Sequence, residues 1–242
     1  MKRAFVYQDE KSNKFWWINY DGNDFAVNYG KNGTNGKYEI KEFDSEEECH
    51  KQALKIINQK IKKGYKEVFD FDFINRYYFD DEEIGPHRKT SHPNYVEHFK
   101  DGFYYDCGGE ETPFGNDEGA DALDELEEHI KKFGNKDIAA LPHKIVEEYW
   151  DMEYFEPNNL DINYIKEQVA DGNEGYFILS DQVIIATALG QIKITGTVDE
   201  ELKNLALLSL KKMNIVTKII NWDISEFVDT MIKDINSFKI YV

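Results

Sequence analysis

The first 45 residues alternate between large apolar and polar side chains, as half-buried β-strands do. Gly, Asn and Asp residues divide this region into four runs, whose apolar positions are Phe5 and Tyr7, then Phe15 and Trp17, then Phe25, Val27 and Tyr29, and finally Tyr38 and Ile40. The pattern predicts a four-stranded antiparallel meander. Its strongest turn spans residues 30–36, where Asn35-Gly36 tolerates positive φ angles.

One helix is predicted directly after the meander. Ser45 is the expected N-cap, with Glu48 as its capping-box partner. Its inward stripe consists of Cys49, Ala53, Ile56, Ile57 and Ile61, and its end is marked by Lys60, Lys62, Lys63 and Gly64. We expect this helix to cover the apolar side of the sheet, which makes residues 1–67 an α+β domain.

Residues 68–112 show no clear period. They are rich in Phe, Tyr and Asp and are broken by Gly85-Pro86 and His92-Pro93. We interpret this stretch as a linker that packs onto the second domain.

Residues 113–242 carry helical signals and predict a predominantly α-helical domain. Six helices are expected, beginning at Asn116-Asp117, Pro142, Asp161, Ser180 and Thr197 and around Phe227, with Gly190 ending the fourth. The fold class of the whole chain is therefore α+β.

Composition indicates a globular chain, because 41% of the residues are hydrophobic and 31% are charged. No run approaches the roughly 20 apolar residues of a membrane span, and no secretory apolar region follows Met1-Lys2-Arg3. Two cysteines, Cys49 and Cys107, do not make a disulfide framework. We expect a cytoplasmic protein without membrane contact.

The net charge of −18 is unevenly distributed. Residues 1–66 contain 13 Lys plus Arg and 10 Asp plus Glu, a net of +3, while residues 67–242 contain 16 and 37, a net of −21. A polyanion is attracted to the first part and repelled by the second.

The N-terminal domain resembles the WGR family over nearly all of residues 3–67. The resemblance is carried by Tyr29-Gly30-Lys31-Asn32-Gly33-Thr34-Asn35-Gly36-Lys37, by Lys41-Glu42-Phe43-Asp44-Ser45, and by Lys60-Ile61-Lys62-Lys63-Gly64-Tyr65. The family is named for a Trp-Gly-Arg triplet on a strand, where this chain has Tyr29, Gly30 and Lys31.

The resemblance implies a site for nucleic acid. In poly(ADP-ribose) polymerases the WGR domain contacts DNA near strand breaks, the Trp packing on a sugar or base and the Arg holding phosphate. Tyr29 retains a stacking ring, whereas Lys31 offers a point charge in place of the guanidinium fork. The predicted nucleic-acid-binding residues are Tyr29, Gly30, Lys31, Lys37, Lys41 and Lys14. The alternative is that these lysines are solvated edge-strand residues that guard against aggregation.

Two further motifs, His92-Pro93-Asn94 and residues 113–121, resemble those of a short enterobacterial WGR type; the second also resembles an uncharacterised bacterial domain with a Pro-Phe-x-Asn-Asp signature. Neither brings a known activity. The acids that follow Asn116 are interpreted as a favourable helix N-terminus rather than a metal site. Cys107 as a nucleophile with His98 or His129 as its base does not match the spacing of any known family. We predict no enzyme, no metal and no cofactor.

Two hypotheses follow. The first is a non-catalytic binding or regulatory protein whose WGR-like domain contacts nucleic acid. The second is an acidic protein-binding chain, of the immunity or inhibitor type, that recognises a basic protein through its C-terminal domain.

Overall fold

The computed structural model describes residues 1–239, and the chain divides into two compact units. The first is Met1–His92 and the second begins at Pro93.

The first unit contains a five-stranded antiparallel sheet. Its strands are β1 (Lys2–Gln8), β2 (Asn13–Asp21), β3 (Asp24–Lys31), β4 (Lys37–Glu42) and β5 (Lys66–Val68), in the order β4-β3-β2-β1-β5. The predicted meander is confirmed. The added strand forms because the chain returns after its helix and pairs alongside β1, with Ala4 opposite Val68.

Helix α1 (Glu46–Lys62) covers one face of this sheet, as predicted. Ser45 Oγ accepts a hydrogen bond from the backbone N–H of Glu48 at 3.2 Å, which confirms the N-cap. Ile61 was expected on the inward stripe but is 47% exposed. The buried side chains beneath the helix are Phe5, Trp16, Ile18, Tyr20, Phe25 and Val27 of the sheet with Cys49, Ala53 and Ile57 of α1.

The opposite face of the sheet is also buried. The predicted apolar positions of β2 and β4, which are Phe15, Trp17, Tyr38 and Ile40, lie on this face and not under α1, so the helix covers only part of the predicted apolar side. Neighbouring Trp16 and Trp17 point to opposite faces, and both are buried. The Trp17 ring contacts Phe73 and Tyr78, with ring centroids 5.6 and 6.2 Å apart. Residues 71–79 therefore pack on the sheet, and the division between the units falls after His92, well inside the stretch interpreted as a linker to the second domain.

The second unit is helical, as predicted. Its helices are α2 (Pro93–His98), α3 (Asp117–Phe133), α4 (Leu141–Lys144), which continues as a π-helical turn (Ile145–Tyr149), α5 (Ile162–Ala170), α6 (Glu174–Thr195), α7 (Glu200–Ile219) and α8 (Ser225–Ser237). Asn116 and Asp161 cap α3 and α5 as expected.

Three predicted boundaries of α6 and α7 are wrong. Ser180 lies inside this helix and its Oγ accepts a hydrogen bond from Phe155 N–H at 3.0 Å, so it is not an N-cap. Gly190 does not end α6 but lies inside it. The absence of a side chain there lets Leu123 and Leu126 of α3 pack closely, since a Cβ would lie 2.8 Å from Leu126 Cδ2. The helix ends at Gly196, and Asp199, not Thr197, caps α7.

Within the described residues, α6 alone has the length and apolar composition of a membrane span. In the structure 94% of its most apolar window is buried, and it packs against α3 and α7 as the central helix of the second unit.

Candidate nucleic-acid interface

Strand pairing brings most of the predicted site residues onto one face of the sheet. The register places Lys14 opposite Lys31 and Tyr29 opposite Lys37. Since side chains alternate along a strand, all four share the face that carries α1. Lys41 lies on the same face of β4, opposite Phe25 and four residues beyond Lys37.

The turn that joins β3 to β4 has a fixed shape because its two ends touch. A Cβ on Gly30 would lie 2.9 Å from Gly36 Cα, and Gly36 itself has φ +72°. Asn28 Nδ2 donates to Asn35 O at 3.0 Å, and Arg76 donates a guanidinium N–H to Thr34 O at 3.0 Å. These contacts hold Lys31 and Lys37, the residues on either side of the turn, in a defined spacing.

Tyr29 presents its ring on this face with the phenol group already engaged. Its hydroxyl donates to Glu39 Oε1 at 2.5 Å. The hydrogen bond to Glu39 is the main cause of a raised Tyr29 pKa, with burial second. The side chain therefore stays neutral at physiological pH and offers aromatic surface rather than charge.

Lys60, at the C-terminal end of α1, is part of the site, although its position in the sequence predicted only a role in ending the helix. Its Nζ lies 5.1 Å from the ring centroid of Trp16, 5.2 Å from that of Tyr65 and 5.9 Å from that of Tyr29. The Lys60 pKa is lowered, mainly by burial and to a smaller extent by the nearby positive charge of Lys63. The sequence signal was its place among the motif residues that end the helix.

A groove of about 510 Å³ opens beside these residues, along the edge strand β4. Its basic wall contains Lys37, Lys41 and Lys60, and Tyr29 also lines it. Lys14 and Lys31 do not line the groove, so the predicted residues divide between the groove and the adjoining sheet surface. The remaining lining is apolar or acidic and consists of Trp16, Phe25, Val27, Ile40 and Ile56 with Glu39, Asp81, Glu82 and Glu83.

The domain that carries this face matches a known domain family. The WGR domain family matches residues 1–72. An Escherichia coli (strain K12) protein, "Uncharacterized protein YfeS", is 46% identical over 241 residues, with 98% of each chain covered. The chain belongs to the YfeS family and carries an N-terminal WGR domain.

Two other similarities are narrower. "Protein YehF" of Escherichia coli (strain K12) is 46% identical over 65 residues, which cover 27% of this chain and 24% of that protein. A solved Bacteroides fragilis protein is 30% identical over 52% of this chain and 39% of its own, with a TM-score of 0.28.

The WGR domain and the segment that covers it are together nearly neutral. Residues 1–92 contain 16 Lys plus Arg and 17 Asp plus Glu, a net of −1. Residues 93–242 contain 13 and 30, a net of −17. The positive charge of the first 66 residues is thus offset by the acids of residues 67–92.

In the second unit, the Pro113–Asp121 motif builds a helix cap. Asn116 Oδ1 accepts from Gly119 N–H at 2.7 Å, while Asn116 Nδ2 donates to Thr112 O at 2.7 Å. Within residues 1–239, no group of three His, Cys, Asp or Glu side chains is arranged to hold a metal ion. The likeness of this motif to an uncharacterised bacterial domain stays a prediction.

The imidazoles considered as bases for Cys107 are engaged elsewhere. His98 Nε2 contacts Asp234 O at 2.8 Å, and His129 Nε2 contacts Lys136 O at 2.6 Å. Each ring is therefore positioned by a backbone carbonyl.

Proposed function

We propose that the chain is a non-catalytic cytoplasmic binding protein whose WGR domain contacts the backbone of nucleic acid. The observation that carries this proposal is the register of β2, β3 and β4. It puts Lys14, Lys31 and Lys37 on the same face of the sheet as Tyr29, at neighbouring positions.

The chemistry of this face suits phosphate and sugar rather than base sequence. A lysine ammonium is a point charge, and each one placed on a phosphate releases condensed counterions. The Tyr29 ring stacks without regard to base identity, because every base has a π face. We therefore expect modest, salt-sensitive binding without sequence preference.

The test is a titration of the full chain with a 20-nucleotide single strand and a nicked duplex between 50 and 200 mM salt. The double variant Lys14→Gln/Lys31→Gln should make the negative slope of log K against log salt shallower by about 1.4 to 1.8, since two phosphate contacts are lost. Affinity should fall severalfold at 50 mM salt.

The matched control is Lys51→Gln with Lys55→Gln. These exposed lysines line a different depression on the outer surface of α1, and the substitutions change the net charge equally. Absence of salt-sensitive binding, or an equal loss in the control, would refute the nucleic-acid role.

A second candidate is recognition of a basic protein by the second unit, and its net charge of −17 favours this function. Affinity capture with the full chain at low salt should then enrich basic proteins, and 0.5 M salt should release them. Recovery of only acidic or neutral proteins would count against it.

A further inference from the structure

Residues 80–83 form an acidic turn that is fastened to the open edge of the sheet. Asp81 Oδ2 accepts the backbone N–H of Ile40, on the edge strand β4, at 2.8 Å. Asp81 Oδ1 accepts from Glu83 N–H at 2.9 Å, and Gly85 N–H donates to Asp81 O at 2.8 Å. The turn thus has a defined place on β4.

This placement sets carboxylates against the basic wall of the groove. Glu82 and Glu83 are exposed and line the same groove as Lys37, Lys41 and Lys60. Glu39 lines it too, but its carboxylate accepts from the Tyr29 hydroxyl. An anionic ligand that approaches Lys37 or Lys41 therefore enters the field of Glu82 and Glu83.

We propose that the acidic turn is a built-in electrostatic competitor of the nucleic-acid backbone, which weakens binding at the groove and directs phosphates toward Lys14 and Lys31. This inference rests on the proposed function. Its physical basis is like-charge repulsion in the groove, which salt screens with a screening length of about 10 Å at 0.1 M.

The first experiment compares the full wild-type chain with Glu82→Gln/Glu83→Gln, using the same single strand. Removing two repulsive charges should lower Kd about three- to tenfold at 50 mM salt and less than twofold at 300 mM salt. The control is Glu46→Gln/Glu47→Gln, because these exposed acids lie beside Met1, Tyr20 and His50 in another depression. If the competition is local to the groove, the control variant gains less affinity than Glu82→Gln/Glu83→Gln.

A second variant tests the attachment of the turn. Asp81→Ala removes both the acceptor of Ile40 N–H and a carboxylate that lines the groove, so we expect faster hydrogen exchange at Ile40 together with tighter binding. Faster exchange with unchanged affinity would overturn the inference.

The outcomes separate the two proposals. If the wild type binds through Lys14 and Lys31 while Glu82→Gln/Glu83→Gln matches its control, the competitor is refuted and the proposed function stands. If neither the wild type nor any variant binds, both are refuted. Binding that appears only when the acidic turn is neutralised supports the competitor and refutes nucleic-acid binding by the wild-type chain.

Discussion

At the scale of single residues, Gly36 determines the turn beside the candidate interface. Its φ of +72° disfavours any L side chain, and a Cβ would lie 2.7 Å from both Tyr29 O and Phe15 Cζ. Gly33, in the same turn, has φ +85° with nothing within 4 Å of an added Cβ. The two glycines therefore separate the conformational cost of a side chain from its steric cost.

We predict that Gly36→Ala lowers the free energy of unfolding by about 3 kcal/mol, whereas Gly33→Ala costs about 1 kcal/mol. The difference reflects overlap between the added Cβ and the backbone oxygen of Tyr29. Rotation of a side chain cannot relieve this overlap, because the contacted atom belongs to the backbone. Urea denaturation of both variants measures it. Equal losses would show that the backbone conformation alone requires glycine at 36.

A second residue-scale feature is the buried ion pair between α6 and α7. Lys212 Nζ lies 3.2 Å from Asp181 Oδ1, with side chains 1% and 0% exposed. Lys212 also donates to Phe155 O at 3.2 Å, which ties the segment before α5 to α7. Burial raises the pKa of Asp181 to about 7, and the Lys212 charge opposes this rise.

Replacing only one partner of this ion pair should destabilise the fold more than replacing both partners with apolar residues. Lys212→Met leaves the Asp181 carboxyl and the Phe155 carbonyl buried without their cation, and we expect a loss of about 3 to 5 kcal/mol in the free energy of unfolding. The double variant Asp181→Leu/Lys212→Met should recover at least half of that loss. Urea denaturation of both single variants and the double variant gives the coupling energy, and additive losses would contradict the prediction.

At the scale of elements, residues 71–79, which follow β5, cover the face of the sheet opposite α1. The aromatic residues of this segment bury Trp17, and the Arg76 guanidinium lies 4.5 Å from the Phe15 ring centroid. Further along the chain, Lys89 fastens it to the hairpin between β2 and β3, through ion pairs with Asp24 and, at 2.9 Å, with Asp21. The WGR domain is therefore a layered structure with α1 on one face and this segment on the other.

We predict that a fragment of residues 1–92 folds cooperatively while residues 1–67 alone do not. Without the cover, Phe15, Trp17 and Tyr38 become exposed, and burying each large side chain contributes about 1.5 to 3 kcal/mol. Near-ultraviolet circular dichroism during thermal unfolding tests this. A melting midpoint for 1–67 equal to that of 1–92 would show that the segment adds no stability.

At the scale of the whole molecule, charge is divided between the units, with −1 on residues 1–92 and −17 on the remainder. The acidic unit repels a polyanion from the chain as a whole, and salt screens this repulsion. Its presence should matter most at low ionic strength.

We therefore expect residues 1–92 to bind single-stranded DNA about three- to tenfold more tightly than the full chain at 50 mM salt, with convergence near 300 mM. Fluorescence anisotropy with a labelled strand measures both. An advantage that persists at high salt would indicate a steric effect of the second unit rather than an electrostatic one.

Elements with strong local signals were predictable from the sequence. The alternation of β1 to β4 and the caps at Ser45, Asn116 and Asp161 act within a few residues, so the pattern contains the whole cause. Strand β5 was missed because three residues carry too little periodicity and depend on pairing with β1. The start of α6 was missed because Ser180 resembles a cap, while its hydroxyl accepts from a distant backbone N–H.

The sequence by itself determined the α+β class, the WGR motif, and the identity of Tyr29 and the lysines around it. These depend on local periodicity and on residue types that are visible along the chain. Only the tertiary structure decided that Lys60 joins the site, that the aromatic segment covers the second sheet face, and that Glu82 and Glu83 stand in the basic groove. The physical reason is that burial and charge proximity depend on which distant segments meet, and these segments meet by packing on the faces and the edge of the sheet.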